Sequence, residues 1–558
     1  MNVFPQRSSH SLRAKILNNI LTFFLLAIVI LGTSLRYSHL DSMPYGFDEA
    51  VNSLHSSGYS KTDLWQQMMD WSGHKVTIDD LRRYQRPTNS DRTSWDAITA
   101  LGIGEPQNPP LIYLLERVWD SIFSNNDNLV WIKRSLPVTL SILTFPCAYW
   151  LCWQLFESVT IASITIALIA VSPLQFVYAR EMRMYSLWVV EILLTSAIFL
   201  WALRHPIRWR WALYTLISTI SLYTFPFSLF VMATHAIYLA IVERLRWSDR
   251  LKAFVISTTT SLLLFAPWIW CIVNLDSSDL SDWRKKPPQQ SLFVEWIYDL
   301  TYSVMAPPEI ETLIGNSNIP FQSIFFEVAT ILTLISSTLV VVYFLRSKKY
   351  SATLFLVLFI TIPFLCLAVP DLLLGGQRSS IERYLFPTTL GLQIAVAAAL
   401  GSGINYVIFS PRLSKVNQSI ISRFSTSLMI IVMGVGLFSC WQLSDKVAPH
   451  QDRTYDYRDI SKKIKENPEK PIIFLHHGKN FEGRNLIALG YEFENLPALH
   501  VFHAGNIPKS WKCPESGLFL VSIPQADISE LEDRCQEPVT HILGESLSLW
   551  QVNSRVLK

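Results

Sequence analysis

The stretch "ILNNILTFFLLAIVILGTSL" (residues 16–35) is apolar almost throughout, and "YGFDEAVNS" (residues 45–53) follows it after a short polar link. A run of about 20 apolar residues is long enough to cross a bilayer as a helix. Asp48 and Glu49 therefore lie just outside a first membrane span. Paired carboxylates in that place raise the question of what they do at the membrane surface.

The composition is that of a membrane protein with some mass in water. Of the 558 residues, 50% are hydrophobic and 16% are charged, against roughly 25% charged in an average soluble domain. The net charge of +3 is too small to indicate a nucleic-acid partner. The first apolar run lacks the short core and small-residue cleavage site of a signal peptide, so we expect an uncleaved span.

Apolar runs of spanning length recur along the chain. The sequence predicts an α-helical polytopic membrane protein with about eleven transmembrane helices. The predicted spans are 16–35, 136–156, 159–178, 184–203, 211–224, 226–242, 252–274, 322–345, 352–370, 386–408 and 425–443.

The charges of the connecting segments predict the orientation. The links "RHPIRWR" (204–210) and "ERLRWSDR" (243–250) are basic, and basic links stay on the cytoplasmic side. The N-terminus is then cytoplasmic, whereas the long segments 37–134 and 275–320 and the C-terminal tail are outside. We expect a multi-pass protein of the bacterial cytoplasmic membrane that carries Asp48 on its outer face.

The tail changes character near residue 446, where short strand-like runs such as "PIIFLHH" and "GLFLVSIP" alternate with polar, helix-compatible stretches. The sequence predicts a transmembrane domain over 1–445, which includes the first outer loop 37–134, and an outward soluble α/β domain over 446–558. Cys513 and Cys535 lie in the outward domain, where an oxidising compartment permits a disulfide between them.

Asp48 and Glu49 are the first candidates for chemistry. An ionised carboxylate just outside a membrane can accept a proton from a hydroxyl group or help to hold a metal ion. The alternative is a solvated loop with two acids, because exposed acids are common. Adjacent loop residues generally point in different directions, so we do not expect both acids to do the same job.

The stretch "EPQNPPLIYLLERVW" (105–119) is a second candidate. Pro110 suits the first turn of a helix, where its missing N–H does no harm. The apolar segment after it can lie along the membrane surface. That placement would bring Glu105 and Asn108 beside the mouth of a cavity. The structural alternative is a loop that only leads into a helix.

The stretch "YAREMRMYSLWVV" (178–190) begins a span on its outer side. Arg180 and Arg183 are three residues apart, which predicts one helical face. A guanidinium pair at headgroup depth can hold a phosphate through forked hydrogen bonds, and Tyr185 follows at the predicted cavity. The alternatives are membrane anchors or a pair that Glu181 neutralises.

The stretch "GGQRSSIERYLFP" (375–387) again places arginines outside, just before an apolar span. Arg378 and Arg383 are candidates for phosphate binding, and Tyr384 is a typical interface aromatic residue. The alternative is that Arg383 only pairs with Glu382.

The histidines of the tail are weaker candidates. His476, His477, His500 and His503 match no metal-site spacing, so strand-edge or surface positions are favoured. A divalent metal is not required by the sequence, and the cofactor is left open.

Four motifs follow the first span in a fixed order: "FDEA", "NPPLIYLL", "REMRMYSL" and "ERYLFP". This ordered set resembles the GT-C superfamily of membrane glycosyltransferases, in the branch related to protein O-mannosyltransferases and the lipid A aminoarabinose transferase. The resemblance covers about residues 1–410. Related proteins commonly carry His-Pro-Pro where this chain has Asn108, Pro109 and Pro110.

The resemblance implies an inverting hexosyl- or pentosyltransferase that uses a sugar linked to polyprenyl phosphate. It places the family's principal acid at Asp48, which would take the proton of the acceptor hydroxyl, while Glu49 orients a neighbour or a metal. Arg180, Arg183 and Arg383 would stabilise the departing phosphate. The acceptor is left open between lipids, proteins and glycans, and membrane lipids surround the protein.

Two other classes of function are alternatives to a glycosyltransferase. A flippase or transporter of lipid-linked glycans favours ionisable residues in the middle of spans, but Glu191 and His235 are the clearest of only a few. A receptor or scaffold whose tail binds a partner leaves the outer arginines unexplained.

Overall fold

The computed structural model describes residues 7–274, 291–303, 320–347, 349–404, 415–446, 455–476, 482–493, 499–503, 511–521, 525–544 and 547–553. Its helices are α1 (Arg7–Tyr37), α2 (Phe47–Ser56), α3 (Lys61–Asp70), α4 (Ile78–Gln85), α5 (Ser94–Gly104), α6 (Leu111–Ile122), α7 (Leu129–Ile142), α8 (Thr144–Phe156), α9 (Val159–Ala170), α10 (Pro173–Ala179), α11 (Tyr185–Arg204), α12 (Arg208–Thr224), α13 (Ser228–Val242), α14 (Asp249–Val273), α15 (Leu292–Tyr302), α16 (Pro320–Arg346), α17 (Tyr350–Leu374), α18 (Phe386–Ile404), α19 (Lys415–Gln442), α20 (Tyr455–Lys465), α21 (Glu482–Gly490) and α22 (Gln525–Cys535). Its strands are β1 (Lys75–Val76), β2 (Ile472–His476), β3 (Leu499–His503), β4 (Leu518–Val521), β5 (Val539–Leu543) and β6 (Leu549–Val552).

The apolar helices make this a multi-pass membrane protein. Among the described residues, 7 helices are long and apolar enough to cross a membrane, or up to 8 if the bent pair of α9 and α10 is one span. Every predicted run overlaps with a helix or a helix pair. The predicted count of eleven is not confirmed. Helix α12 has 17 residues, α13 has 15, and the Ile331–Arg346 part of α16 is also shorter than 18 residues.

The span formed by α9 and α10 is broken near its C-terminal end. The two helices meet at 59°, and Pro173 begins α10, where its missing N–H does no harm. Helix α10 ends at Ala179 and α11 begins only at Tyr185. Arg180 and Arg183 therefore lie in a turn, and the prediction that they share one helical face is wrong.

Small residues let three membrane helices approach closely beside this bend. A Cβ atom on Gly32 of α1 would lie 2.5 Å from the carbonyl oxygen of Ala170. A Cβ atom on Gly436 of α19 would lie 2.6 Å from the carbonyl oxygen of Val171. Membrane helices commonly use small residues at such contacts. Helices α1 and α19 are thus packed against the end of α9.

A six-stranded sheet stands outside the helix bundle, in the order β1-β3-β2-β4-β6-β5. Strands β3, β2 and β4 are parallel neighbours, and the remaining pairs are antiparallel. Strand β1 belongs to the first outer loop, where Lys75 pairs with His500 and Val76 with Leu499. The first loop therefore supplies an edge strand to a sheet built by the tail.

The first loop and the tail also share a hydrophobic core. A Cβ atom on Gly483 of α21 would lie 2.7 Å from the Leu64 side chain and 2.8 Å from the Met68 sulfur. Gln85 Nε2 donates to the Ile487 carbonyl at 2.7 Å. Because such a core cannot be divided by a bilayer, the first loop and the tail lie on one face of the membrane.

The tail contains a small sheet, and Cys513 and Cys535 are joined by a disulfide. The pairing that the sequence permitted is therefore confirmed. The bond ties the end of α22 to the segment before β4. The predicted boundary between 1–445 and 446–558 stays a prediction, because the described tail packs with the first loop instead of standing apart.

The close approach of α19 to α9 yields a stability test. We expect Gly436→Ala to lower the melting temperature of the detergent-solubilised protein, because an added methyl group in a filled contact costs about 1–3 kcal/mol. Gly434→Ala is the matched control, since nothing lies within 4 Å of a Cβ atom there. That control should melt at the same or a higher temperature, because alanine favours a helix. Equal melting of both variants would contradict the packing.

Candidate active site

Helix α2 begins directly after Gly46, so Asp48 and Glu49 both lie in its first turn. Carboxylates are favoured there, because the N-terminal N–H groups of a helix carry partial positive charge. Asp48 is half-buried, whereas Glu49 is fully buried. The two adjacent acids therefore have different surroundings, as their positions in the sequence predicted.

Glu49 is surrounded by hydrogen-bond donors. Its Oε1 accepts from Arg134 Nε at 2.9 Å and from Met182 N at 3.0 Å. Its Oε2 accepts from Arg134 Nη2 at 2.6 Å and from Gly46 N at 2.9 Å. These four hydrogen bonds use both oxygens of the Glu49 carboxylate. The contacts fit the predicted role of orienting a neighbour, which stays a prediction.

Arg134 extends this arrangement to the chain before α2. Its Nη1 donates to the carbonyls of Leu40 at 2.9 Å and Met43 at 3.0 Å, and its Nη2 donates to that of Pro44 at 2.8 Å. Sequence analysis missed this residue. An arginine on the outer side of a span was the available signal, the same one that singled out Arg180.

Asp48 interacts electrostatically with Arg183. Burial lowers the pKa of the Arg183 guanidinium, but attraction to Asp48 and then to Tyr113 outweighs burial, so this pKa is raised. Burial raises the pKa of the Tyr113 hydroxyl to about 12. Within the described chain, Arg183 Nε and Tyr113 Oη have no hydrogen-bond partner. A donor from each residue is therefore available to a ligand beside Asp48.

Arg383 approaches the same place from a different segment. It interacts electrostatically with Tyr185 and Tyr384, and its guanidinium lies 5.7 Å from the centre of the Tyr384 ring. Tyr185 interacts with both Arg383 and Arg183. The structure thus brings together five residues that the sequence singled out, with Tyr185 between two arginines and Asp48 beside one of them.

Arg180 is occupied by backbone carbonyls. Its Nη1 donates to Leu443 O at 3.0 Å, and its Nη2 donates to Ser38 O at 2.8 Å and to Ser444 O at 2.5 Å. Burial lowers the pKa of its guanidinium to about 9. Arg180 thereby joins the chain after α1 to the chain after α19. These contacts favour an architectural role, and its predicted phosphate contact stays a prediction.

Arg378 is held by a buried acid at the end of α17. Its Nη1 donates to Asp371 Oδ1 at 2.9 Å, and Ser379 N donates to Asp371 Oδ2 at 2.6 Å. The ion pair fixes the turn that leads to Arg383. Its predicted phosphate contact stays a prediction.

Glu105 and Asn108 lie near the other end of α2. Asn108 Nδ2 donates to Glu105 Oε2 at 3.0 Å, and Lys61 pairs with the same carboxylate. His55 Nε2 lies 3.4 Å from Glu105 Oε2. Burial, and then Lys61, lower the pKa of His55 to about 3, so its ring is neutral. His55 is about two helical turns from Asp48 on the same helix, and sequence analysis missed both His55 and Lys61.

Helix α15 brings a buried acid, Asp299, to the arginine segment. Trp296 Nε1 donates to Ser379 Oγ at 3.1 Å, which docks α15 on the turn before Arg383. Burial and the charge of Glu382 raise the pKa of Asp299. Its Oδ2 has no hydrogen-bond partner within the described ranges. Sequence analysis missed Asp299, although an acid in an otherwise apolar outer segment was a signal.

The two ionisable residues in the spans are tied to neighbouring helices. Thr224 Oγ1 donates to Glu191 Oε1 at 2.7 Å. His235 forms hydrogen bonds with Ser196 at 3.1 Å and Tyr214 at 3.1 Å. Each side chain thus has a partner on a neighbouring helix, whereas Glu191 Oε2 has no hydrogen-bond partner in the described part of the chain.

The histidines of the tail lie on the sheet. His476 of β2 is in register with His503 of β3, and His500 belongs to the same strand. A strand position is confirmed for these three, and His477 lies outside the described residues. The described parts of the chain contain no group of three or more His, Cys, Asp or Glu that could hold a metal ion.

Comparison with known proteins finds matches among solved structures. No protein-family profile and no curated protein sequence matches the chain. ArnT from Cupriavidus metallidurans bound to undecaprenyl phosphate is similar with a TM-score of 0.54 and 12% identity, over 95% of this chain and 98% of ArnT. ArnT in the apo state is similar with a TM-score of 0.52 and 12% identity, over 95% of this chain and 97% of ArnT. An Archaeoglobus fulgidus oligosaccharyltransferase reaches only 0.45 with 11% identity, over 84% of this chain and 63% of that chain.

The likeness to ArnT extends over nearly the whole chain and concerns the fold. The fold of this chain is similar to that of ArnT. At 12% identity the likeness leaves the reaction to be argued from the residues of the site.

The Glu49–Arg134 pair yields a second test. We expect Glu49→Gln to destabilise the protein by about 3–5 kcal/mol, because it leaves Arg134 buried without a counter-charge. Glu157→Gln is the control, since it breaks an Arg–Glu pair whose side chains are 39% and 60% exposed, and such pairs contribute at most about 1 kcal/mol. Thermal unfolding in detergent measures both. A Glu49→Gln protein as stable as the control would show that the pair does not hold the site.

Proposed function

We propose that this protein is an integral-membrane glycosyltransferase that moves a sugar from a polyprenyl-phosphate donor to an acceptor hydroxyl on the outer face. The observation that carries the proposal is the meeting of Asp48, Arg183 and Arg383 around Tyr185, at the ends of spans. ArnT has a similar fold and has been solved with undecaprenyl phosphate, which supports a donor of the same chemical type.

The two arginines fit the donor phosphate. Tyr185, which interacts with both Arg183 and Arg383, is the first residue of α11, and the start of a span lies at headgroup depth. The phosphate of a lipid-linked sugar lies at that depth as well. Forked hydrogen bonds from guanidinium groups to a phosphate are stronger in a partly dry site than at an exposed surface. The Nε of Arg183 is available for such a contact.

Asp48 fits the base. Its carboxylate interacts electrostatically with Arg183, and an ionised carboxylate can accept a proton from a hydroxyl group. As the acceptor oxygen attacks the anomeric carbon, its proton passes to Asp48 and the bond from that carbon to the phosphate oxygen breaks. The polyprenyl phosphate leaves with the bonding electrons. Attack opposite the phosphate inverts the configuration of the sugar, and the arginines stabilise the negative charge that develops.

Glu105 and Asn108 fit the acceptor side of the cavity. Lys61 pairs with Glu105 near the far end of α2, and Asn108 Nδ2 donates to the same carboxylate. The Tyr113 hydroxyl, which lacks a partner in the described chain, lies between this group and Asp48 and can bind the acceptor or the sugar. The acceptor would thus enter along α2, from the water side.

The proposed orientation has a cytoplasmic N-terminus with the first loop and the tail outside. The basic links 204–210 and 243–250 support it. The core shared by the first loop and the tail also supports it, because both segments must then face the same compartment.

The proposal is tested by transfer from a panel of radiolabelled hexosyl and pentosyl polyprenyl phosphates, in proteoliposomes that contain lipid, peptide or glycan acceptors. We expect Asp48→Asn to lower turnover by at least about a hundredfold, the usual effect of removing a positioned general base. Asp79→Asn is the matched control, because it removes an exposed acid from the first turn of α4. Unchanged turnover in Asp48→Asn would rule out Asp48 as the base. Movement of the labelled lipid with no glycosylated product in the wild type would favour a transporter.

The contrast between the two neighbouring arginines yields a further prediction. We expect kcat/KM for the donor to fall by about tenfold in Arg183→Lys, because lysine keeps the positive charge but lacks the paired N–H donors of a guanidinium group. In Arg183→Ala, which loses both, we expect a fall of about a hundredfold. The KM of the acceptor should change little. Arg180→Ala should mainly lower the melting temperature, because it leaves buried carbonyls without donors. Equal kcat/KM for the donor in the wild type and in both Arg183 variants would mean that Arg183 is only a membrane anchor.

A further inference from the structure

A second cavity lies at the opposite end of the helix bundle from Asp48. Helix α11 has 20 residues and runs from Tyr185 at the candidate active site to Arg204 at this cavity, a distance of about 30 Å. Helices α8, α11 and α13 end around it, and α14 and α17 begin there. Its volume of about 600 Å³ lies within the range of about 300–1,000 Å³ for small-molecule sites. It is therefore distinct from the site of transfer.

The cavity is positively charged. Its lining contains three cations, Arg204, Arg250 and Lys349, and one acid, Glu243. Arg250 lies 3.3 Å from Glu243, and Arg204 lies 3.0 Å from Glu157. Both pairs are partly exposed, so their ion pairs are weak and can open for a ligand. The cations exceed the acids even when Glu157 is counted with the lining.

A helix N-terminus adds to this positive charge. Tyr350, Ser351 and Ala352 are the first residues of α17, and all three line the cavity. Lys349, which precedes them, makes no side-chain cap hydrogen bond. The backbone N–H groups in the first turn of a helix have no partner inside the helix and bind anions. The cavity thus combines three cationic side chains with backbone donors.

Part of the cavity wall is apolar. It is formed by Leu155, Leu200, Leu203, Leu239 and Val242. A soluble anion would satisfy the cations and leave the exposed parts of Leu203 and Val242 in contact with water. A ligand that has a charged head and a hydrocarbon chain matches both the cationic and the apolar parts of the lining.

Exposed aromatic residues place this cavity at a membrane surface. Trp209, Trp247 and Tyr350 are 53%, 66% and 70% exposed, and all three lie in or beside the links at this end of the bundle. Tryptophan and tyrosine concentrate at the boundary between membrane and water. The cavity therefore lies at the depth of lipid headgroups, on the face opposite to the candidate active site.

We propose that this cavity binds the phosphate headgroup of an anionic membrane lipid, with the acyl chain along the apolar wall. Basic pockets between the ends of membrane helices bind anionic headgroups through the same combination of groups. Such a lipid would join the ends of five helices that start or finish here. This site is independent of the proposed glycosyl transfer, since it requires none of the groups around Asp48.

The test uses the purified full-length protein in a neutral detergent, titrated with phosphatidylglycerol or with phosphatidylcholine. Native mass spectrometry counts the bound lipids. We expect phosphatidylglycerol to bind in preference, and the double variant Arg204→Gln with Arg250→Gln to bind it about tenfold more weakly or worse. The two arginine side chains are 39% and 44% exposed, so this variant should fold, and its melting temperature without added lipid verifies that.

The matched control is Arg244→Gln with Arg246→Gln, which removes the same charge from exposed positions of the same link, outside the cavity lining of the described chain. It should bind phosphatidylglycerol as the wild type does. An equal loss in both double variants would mean that only the overall charge attracts the lipid, and equal binding in the wild type and the cavity variant would overturn the site. Inorganic phosphate that displaces the lipid at millimolar concentration would assign the cavity to a soluble anion. Because binding is measured directly, an inactive enzyme does not affect the result.

Discussion

The buried ion pair between Glu49 and Arg134 is the interaction on which the candidate active site depends. Two charges removed from water are stable only when their remaining hydrogen-bonding capacity is satisfied. Here the Glu49 carboxylate receives four hydrogen bonds, two of them from the backbone N–H groups of Gly46 and Met182. One carboxylate thus fixes the start of α2, helix α7 and the turn before α11. Asp48 is held in position by its neighbour, and its own carboxylate interacts with Arg183.

Arginines near the ends of spans are candidates for phosphate binding. Their hydrogen-bond partners distinguish those that hold the architecture from those that can bind a ligand. Arg134 and Arg180 donate to main-chain carbonyls around the ends of spans, so their charges stabilise the architecture. Arg183 and Arg383 lie among tyrosines and acids instead. A guanidinium whose donors are used by carbonyls is not free to follow a phosphate through a reaction. One placed among tyrosines and acids can exchange those partners for a ligand.

Local signals in the sequence predicted much of this structure, and the misses have a common cause. The apolar runs and the cysteine pair depend on composition or compartment, which the sequence carries directly. The separation of Arg180 from Arg183 depends on the break between the end of α10 at Ala179 and the start of α11 at Tyr185, which the apolar pattern on both sides conceals. Strand β1 has two residues, and its pairing of Lys75 with His500 joins segments that are far apart in the sequence. No local pattern can predict such a contact.

The tail is part of the support of the site, although it lies far from Asp48 in the sequence. The Tyr491 ring lies 4.1 Å from the Tyr45 ring, just before α2, and the Arg484 guanidinium lies 4.5 Å from the centre of the Phe47 ring, the first residue of α2. Helix α2 is therefore held by Arg134 on one side and by the tail on the other. A helix held from two sides cannot turn about its axis. The direction of the Asp48 carboxylate is consequently set by segments from both ends of the chain.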